Sequence, residues 1–347
     1  MLVLGIETSC DETSAAVVSR DGDHVVLRGL SVLSQDVHRI FGGVVPELAS
    51  RAHLTVIDAV VDDALGQAGI GLGDIQGIAV TRGPGLLGAL LVGVTWARTL
   101  AWRETLPIIG VHHLEGHLFA PTLERDDVRP PFTALLVSGG HTLLLDVPAW
   151  GEYHLLGETR DDAAGEAFDK VGSLLGLDYP AGAAIERLAA TGDRARFSFP
   201  RPLLGGRHDA SSYEFSFSGL KTAVLRAVQQ SDDIGRDRAD IARGFQDAAI
   251  DVLVAKTVTA RDAFDRRMIV LGGGVACNRT LATAMRTAAD GRATVAVASP
   301  RLNTDNAAMI AAAGSWRLAR GETSGLDLDA RDALPLPGLI SISGVGA

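Results

Sequence analysis

Twice along this chain a short apolar strand runs into a small turn and comes back as a second apolar strand. The first such opening spans Met1–Ile6, turns through the polar residues Glu7–Thr13 and returns over Ala15–Val18. The second spans Phe132–Val137, turns tightly at Ser138–Gly140 and returns over His141–Val147. Each opening leads into a region where helical and strand patterns alternate. Leu48, Leu54, Ile57, Val61 and Leu65 recur at helical spacing, Gly77–Val80 reads as a strand, and Leu86–Val94 reads as a helix after the turn Arg82–Gly85. Pro107–Val111 is a further strand, and Met268–Leu271 is another, ending in Gly272–Gly274 with a helix after Asn278. The two halves share no run of letters, so this is a repeated pattern and not a sequence repeat. Strands mixed with helices of about 10–15 residues predict an α/β fold. A chain of 347 residues has the length of two such domains.

Two cysteines, Cys10 and Cys277, cannot build a disulfide framework, which points to a reducing compartment. The apolar start is broken at Glu7 before a secretory core is complete. The uncharged run between Arg82 and Arg98 falls short of the ~20 residues that cross a bilayer. A cytoplasmic protein with no membrane association is expected. The net charge is −10, from 32 basic and 42 acidic residues, so the surface as a whole is not a phosphate binder. Any nucleic acid would meet a local patch or a partner protein. Arg194, Arg196, Arg201 and Arg207 crowd one segment that reads equally as such a patch or as a solvated loop.

The sharpest chemical signal is His112-His113-Leu114-Glu115-Gly116-His117. On a helix, His113 and His117 stand one turn apart on one face, the spacing with which two imidazoles hold one metal ion. A pair of surface histidines is the alternative. A zincin protease places Glu directly after its first His; here Leu114 stands there, and Glu115 points elsewhere. Two histidines need an acidic companion from a distant segment. Asn303-Thr304-Asp305-Asn306 precedes the apolar helical run Ala307–Ile310, and it reads first as a helix cap with Thr304 or Asp305 as acceptor. Metal ligation by Asp305 is the second reading. The glycine turns Ser138–Thr142 and Gly272–Gly274 follow buried-looking strands and can offer backbone N–H groups to a phosphate, although no Walker lysine motif is present. Whether they form a nucleotide cleft between halves stays open at this point. Glu166, Asp169 and Lys170 fall within one helical turn and read as a charged helix start. Lys221 reads as facing solvent, with a phosphate contact as the alternative.

In order along the chain, Leu4–Thr13, Gly42–Arg51, Gly83–Gly88, His112–His117, Leu136–Thr142, Asp161–Lys170, Phe215–Lys221, Gly272–Asn278 and Thr304–Asn306 closely resemble the motifs of the tRNA adenosine threonylcarbamoyltransferase family, formerly described as O-sialoglycoprotein endopeptidases. The resemblance covers residues 1–325. It implies the fold of actin-like ATPases and sugar kinases: two ribonuclease-H-like α/β subdomains with a nucleotide in the cleft. The subdomains are expected over residues 1–125, completed by a helix over 303–320, and over 130–302, with an irregular tail over 321–347. The implied reaction moves a threonylcarbamoyl group from threonylcarbamoyl-AMP to the N6 amine of the adenosine just 3' of the anticodon, in tRNAs reading codons that begin with A, and releases AMP. The resemblance further implies one divalent metal ion per subunit, iron(II) or zinc, on His113, His117 and Asp305. Leu136, Val137, Ser138, Gly139, Gly140, Asp169, Gly182, Asn278 and, less directly, Glu186 are implied to line the donor site. Asp11 and Glu12 stand in the polar turn, where they could assist proton movement. The implied partners are tRNA, a paralogous subunit and a small ATPase. Two departures stand out: Tyr179-Pro180-Ala181-Gly182-Ala183 has lost one glycine and one proline of the family pattern, and Asn303 replaces its cysteine. A kinase-like ATP-binding or regulatory protein on the same fold is the alternative, and the histidine pair argues against it.

Overall fold

The computed structural model describes residues 1–204 and 213–341. The described residues form two compact units, one from Met1–Val128 with Ala298–Pro337, the other from Arg129–Val297 with Gly338–Ser341. Unit 1 begins with β1 (Leu2–Glu7), β2 (Glu12–Asp21), β3 (His24–Ser34), α1 (Pro46–Ala68), β4 (Gly77–Gly83), α2 (Leu87–Glu104), β5 (Ile108–His112) and α3 (His113–Phe119). Its sheet runs β3-β2-β1-β4-β5, with β1 antiparallel to β2 and parallel to β4. Val3, Leu4 and Ile6 of β1 are all fully buried, so the central strand is apolar on both faces and needs layers above and below it. The first layer comes from α1, which starts with proline in its first turn and stops at Gly69 in the left-handed region.

Unit 2 contains β6 (Phe132–Val137), β7 (Thr142–Ala149), β8 (Glu152–Glu158), α4 (Ala164–Leu174), α5 (Gly182–Ala189), α6 (Ser218–Gln230), α7 (Ile234–Ala263), β9 (Met268–Gly272), α8 (Arg279–Ala289) and β10 (Thr294–Val297). Read as β8-β7-β6-β9-β10, its sheet repeats the order and directions of unit 1. The repeated opening is therefore the first hairpin of a repeated sheet.

The chain returns to unit 1 through α9 (Pro300–Asn303) and α10 (Ala307–Ala319), and α10 packs on β1, β2, β4, β5 and α3. Residues 321–341 are more ordered than their composition suggests. Ser324 bridges to Ile108, Leu328 and Ala330 join the core of unit 1, and β11 (Leu339–Ser341) adds a parallel edge to β8. Those apolar residues are spaced too widely to register as an element in the sequence. Among the described residues no helix is long and apolar enough to cross a membrane.

Candidate metal centre and glycine-turn site

β5 delivers the chain into α3 through His112, whose Nδ1 accepts from the Leu114 N–H (3.2 Å) and whose Nε2 donates to the Leu334 carbonyl (2.9 Å). All seven residues of α3 are buried, so His113 and His117 are not a surface pair. Their Nε2 atoms each stand 3.4 Å from Asp305 Oδ1. The capping role that the sequence assigns to Thr304 or Asp305 belongs to the next residue. Asn306 Oδ1 accepts from Ala308 N–H (2.9 Å) and Met309 N–H (3.1 Å) at the start of α10, which releases Asp305 to face the histidines.

Two observations show that this trio suits a metal ion. Both ring nitrogens of His117 are buried with no hydrogen-bond partner, a costly arrangement for an imidazole unless something else takes its lone pair. Ligand atoms ~2.0–2.2 Å from one ion at tetrahedral angles lie about 3.4 Å apart, the spacing of Asp305 Oδ1 from each histidine Nε2, and all three ligand atoms lie within 4.8 Å of one another. One carboxylate and two imidazoles are the donor set of divalent transition metals.

A residue outside the expected ligand set orients the first histidine. His113 Nδ1 lies 3.2 Å from both Glu7 Oε2 and Ser9 Oγ. Glu7 is fully buried; its Oε1 accepts from the Ser9 N–H (2.5 Å) and its Oε2 from Thr81 Oγ1 (2.6 Å). This network assigns the proton to Nδ1 and leaves Nε2 facing Asp305. Burial disfavours charge on both Glu7 and His113; His113 and the Thr81 hydroxyl nevertheless lower Glu7, against the like charge of Asp305, while Asp305 and Glu7 raise His113 well above its ordinary value. Burial lowers His117. Burial, then the charges of Asp305 and Asp11, pushes Glu12 up to about 9. The signal for Glu7 was a carboxylate ending an apolar central strand, where burial demands a partner. Glu7→Gln should weaken metal affinity about 10-fold through lost orientation of His113. A chelator-competition titration checks this, and unchanged affinity would remove Glu7 from the centre.

In unit 2, Leu136 and Val137 end β6, and Ser138 closes the turn: its N–H donates to the His141 carbonyl (2.9 Å), and its Oγ accepts from the His141 N–H (3.1 Å). A Cβ at Gly139, Gly140 or Gly182 would meet nothing within 4 Å, so these backbones are open to a ligand. Asp169 Oδ1 accepts from the Ala181 N–H (2.8 Å), and burial raises its pKa. Ala181 is buried against Gly172 of α4, so the family-divergent segment packs tightly. Glu186 Oε1 accepts from the N–H groups of Arg279 (2.7 Å) and Thr280 (3.2 Å), and Asn278 Oδ1 accepts from that of Leu281 (3.0 Å). Both residues thus hold the N-terminus of α8.

The arginine segment is neither a free basic patch nor merely solvated. Arg194 pairs with Asp247 (3.0 Å), Arg196 with Asp237 (2.7 Å) and Arg201 with Asp251 (2.7 Å), all on α7. Arg207 lies outside the described residues. Lys221 does not simply face solvent: Asp162 accepts from it (2.5 Å) and also from Lys170 (2.8 Å). The Lys170–Glu166 pair (2.7 Å) matches the expected charged helix start.

Comparison with known proteins adds to this geometry. The family profile described as tRNA N6-adenosine threonylcarbamoyltransferase matches residues 27–312. A protein of that description from Gemmatimonas aurantiaca is 59% identical, with 99% of each chain covered. Another from Geobacter metallireducens is 54% identical over 97% of each chain. Among solved structures, component A of (R)-2-hydroxyglutaryl-CoA dehydratase from Acidaminococcus fermentans superposes with a TM-score of 0.52 at 14% identity, covering 92% of this chain and 99% of that one. HypF from T. kodakarensis gives 0.59 at 13% identity, covering 92% of this chain and 48% of that one. These structural likenesses show the fold alone, that of actin-like ATPases.

Proposed function

The chain belongs to the tRNA N6-adenosine threonylcarbamoyltransferase family, and on that premise we propose that His113, His117 and Asp305 serve the acyl group while the Ser138–Gly140 turn serves the nucleotide. It transfers threonylcarbamoyl from threonylcarbamoyl-AMP to the N6 amine of adenosine in tRNA. The bond from N6 to the carbamoyl carbon forms, the bond to the AMP phosphate oxygen breaks, and N6 loses a proton. The observation that carries the residue assignment is the orphaned, buried His117 ring beside His113 and Asp305.

One divalent ion on this trio, iron(II) or zinc, would supply a template charge and polarise a bound carbonyl. The chain's own groups do the rest. Glu7 and Ser9 fix the His113 ring. The open backbone of Ser138–Gly140 suits a phosphate, which is the leaving group. Asp11 and Glu12 serve the released proton: burial and then neighbouring carboxylates favour the acid form of Glu12, and a cation held by the trio would favour its anion.

An acidic chain acting on tRNA needs help, and we assign that help to a paralogous subunit and a small ATPase in the cytoplasm. Ile40 (81% exposed), Leu54 (66%) and Phe41 (57%) of unit 1 support a protein partner. The neutralised arginines do not replace one. Arg194→Gln with Arg201→Gln should leave the salt dependence of tRNA binding unchanged, whereas two lost phosphate contacts would lower its slope by about 2. Filter binding across a salt series decides.

The test of function is nucleoside mass spectrometry on unmodified tRNA incubated with threonylcarbamoyl-AMP, this protein and its partners. Threonylcarbamoyladenosine should form, disappear after chelation and return with added metal. No product from the metal-loaded mixture would overturn the reading and favour the kinase-like alternative.

A further inference from the structure

Glu115, midway between the two histidines, is bound by two hydrogen bonds in another direction. We propose that Glu115 and Arg317 form a positioning clamp that sets where His117 stands relative to Asp305; the inference rests on the metal-site reading and deepens it. The two histidines differ in their support. Glu7 and Ser9 hold the His113 ring, whereas neither nitrogen of His117 has a hydrogen-bond partner. With no hydrogen bond to orient it, the His117 ring is placed by packing, edge-on to His113 at 4.9 Å between centroids, and by the position of the α3 backbone. At seven residues, α3 is too short to hold its own position, so its ties to neighbours decide it.

The strongest of those ties is Glu115. It lies two residues from each histidine, about 200° around the helix, and so projects away from the ligand face. Its carboxylate is fully buried and accepts from Arg317 Nε (2.8 Å) and from the second terminal nitrogen (2.7 Å). A two-pronged guanidinium contact fixes direction as well as distance. Arg317 itself is held from behind by Glu322 (2.5 Å). It stands on α10, ten residues or about 15 Å beyond the helix start that follows Asp305. Between these two points the bare backbone of Gly116 packs against side chains of α10: a Cβ there would lie 2.8 Å from Ile310 Cδ1 and 3.0 Å from Met309 Cγ. Thus α3 is attached near both ends of α10, by its glutamate face to Arg317 and by its histidine face to Asp305. Any roll or slide that keeps one attachment breaks the other.

The experiment is a cobalt(II) titration of the metal-free protein, read by affinity and by visible absorption. Glu115→Met with Arg317→Met removes both buried charges together and strands no polar group between them, so thermal unfolding of the metal-free protein should move little. Its Kd for cobalt(II) should rise about tenfold or more, with an altered absorption spectrum as the His117 nitrogen leaves its place. Arg317→Lys, which keeps the charge and loses the fork, should fall between this double variant and the wild type. His117→Ala serves as the reference for a lost ligand. Wild-type Kd and spectrum in the double variant or in Arg317→Lys, with binding lost in His117→Ala, would overturn the clamp and leave the metal site standing. No cobalt bound by the wild type, or equal binding by His117→Ala, would overturn the metal-site reading and the clamp with it.

Discussion

Asp305→Ala is expected to cut threonylcarbamoyladenosine formation about 10³-fold while the protein stays folded. Asp305 is the one carboxylate of the trio, so its loss leaves two imidazoles and no charge to hold a divalent ion. Loss of metal stabilisation worth several kcal/mol at about 1.4 kcal/mol per decade gives the size of the effect. Fold stability should change little, because the residue that caps α10 is Asn306. Asn306→Ala makes the contrast. That side chain is fully buried, caps two N–H groups and donates to the carbonyls of Leu302 (2.9 Å) and Thr304 (2.7 Å). Its removal should cost about 2–4 kcal/mol of stability, a lost cap plus stranded carbonyls. Thermal unfolding beside product mass spectrometry separates the two variants. A folded Asp305→Ala that forms product at the wild-type rate would overturn the assignment.

That pair of neighbours also shows where sequence reasoning stops. Asn303, Thr304, Asp305 and Asn306 all include side chains that can cap a helix, so letters alone could not say which one caps and which one turns away. The histidine pair was legible because a helix brings i and i+4 together without help from the rest of the chain. Its carboxylate companion arrives from far along the sequence, and only the packing of α10 on α3 brings it there. The two openings at β1 and β6 were legible for a similar local reason, since a strand buried on both faces must be apolar throughout. β3 escaped notice because it borders its sheet, and its mixture of buried and exposed positions breaks the alternation. The arginine segment misled in the opposite way. Its neutralising carboxylates sit on α7, a 30-residue helix whose aspartates meet the arginines only in the fold.

Gly165→Ala should raise the KM for threonylcarbamoyl-AMP about 10²-fold and leave metal affinity untouched. Gly165 is the second residue of α4, and its N–H donates to the Ser138 carbonyl (3.1 Å). A Cβ there would stand 2.5 Å from that carbonyl oxygen and 2.8 Å from Gly139 Cα, both backbone atoms that cannot swing aside. The turn itself must shift, and it is the turn assigned to the AMP phosphate. A displacement of about 1 Å at such a site is enough for a loss of this size. Gly140→Ala approaches the same question from the open side. Its methyl group meets no protein atom within 4 Å, so it leaves the fold alone and obstructs only what approaches the turn. Product formation measured against donor concentration, with a metal titration alongside, reads both variants. A raised donor KM in each, at wild-type metal affinity, places the nucleotide on this turn and separates its role from that of the metal centre. A wild-type KM in both would take the phosphate off Ser138–Gly140 and leave the glycines as a turn only.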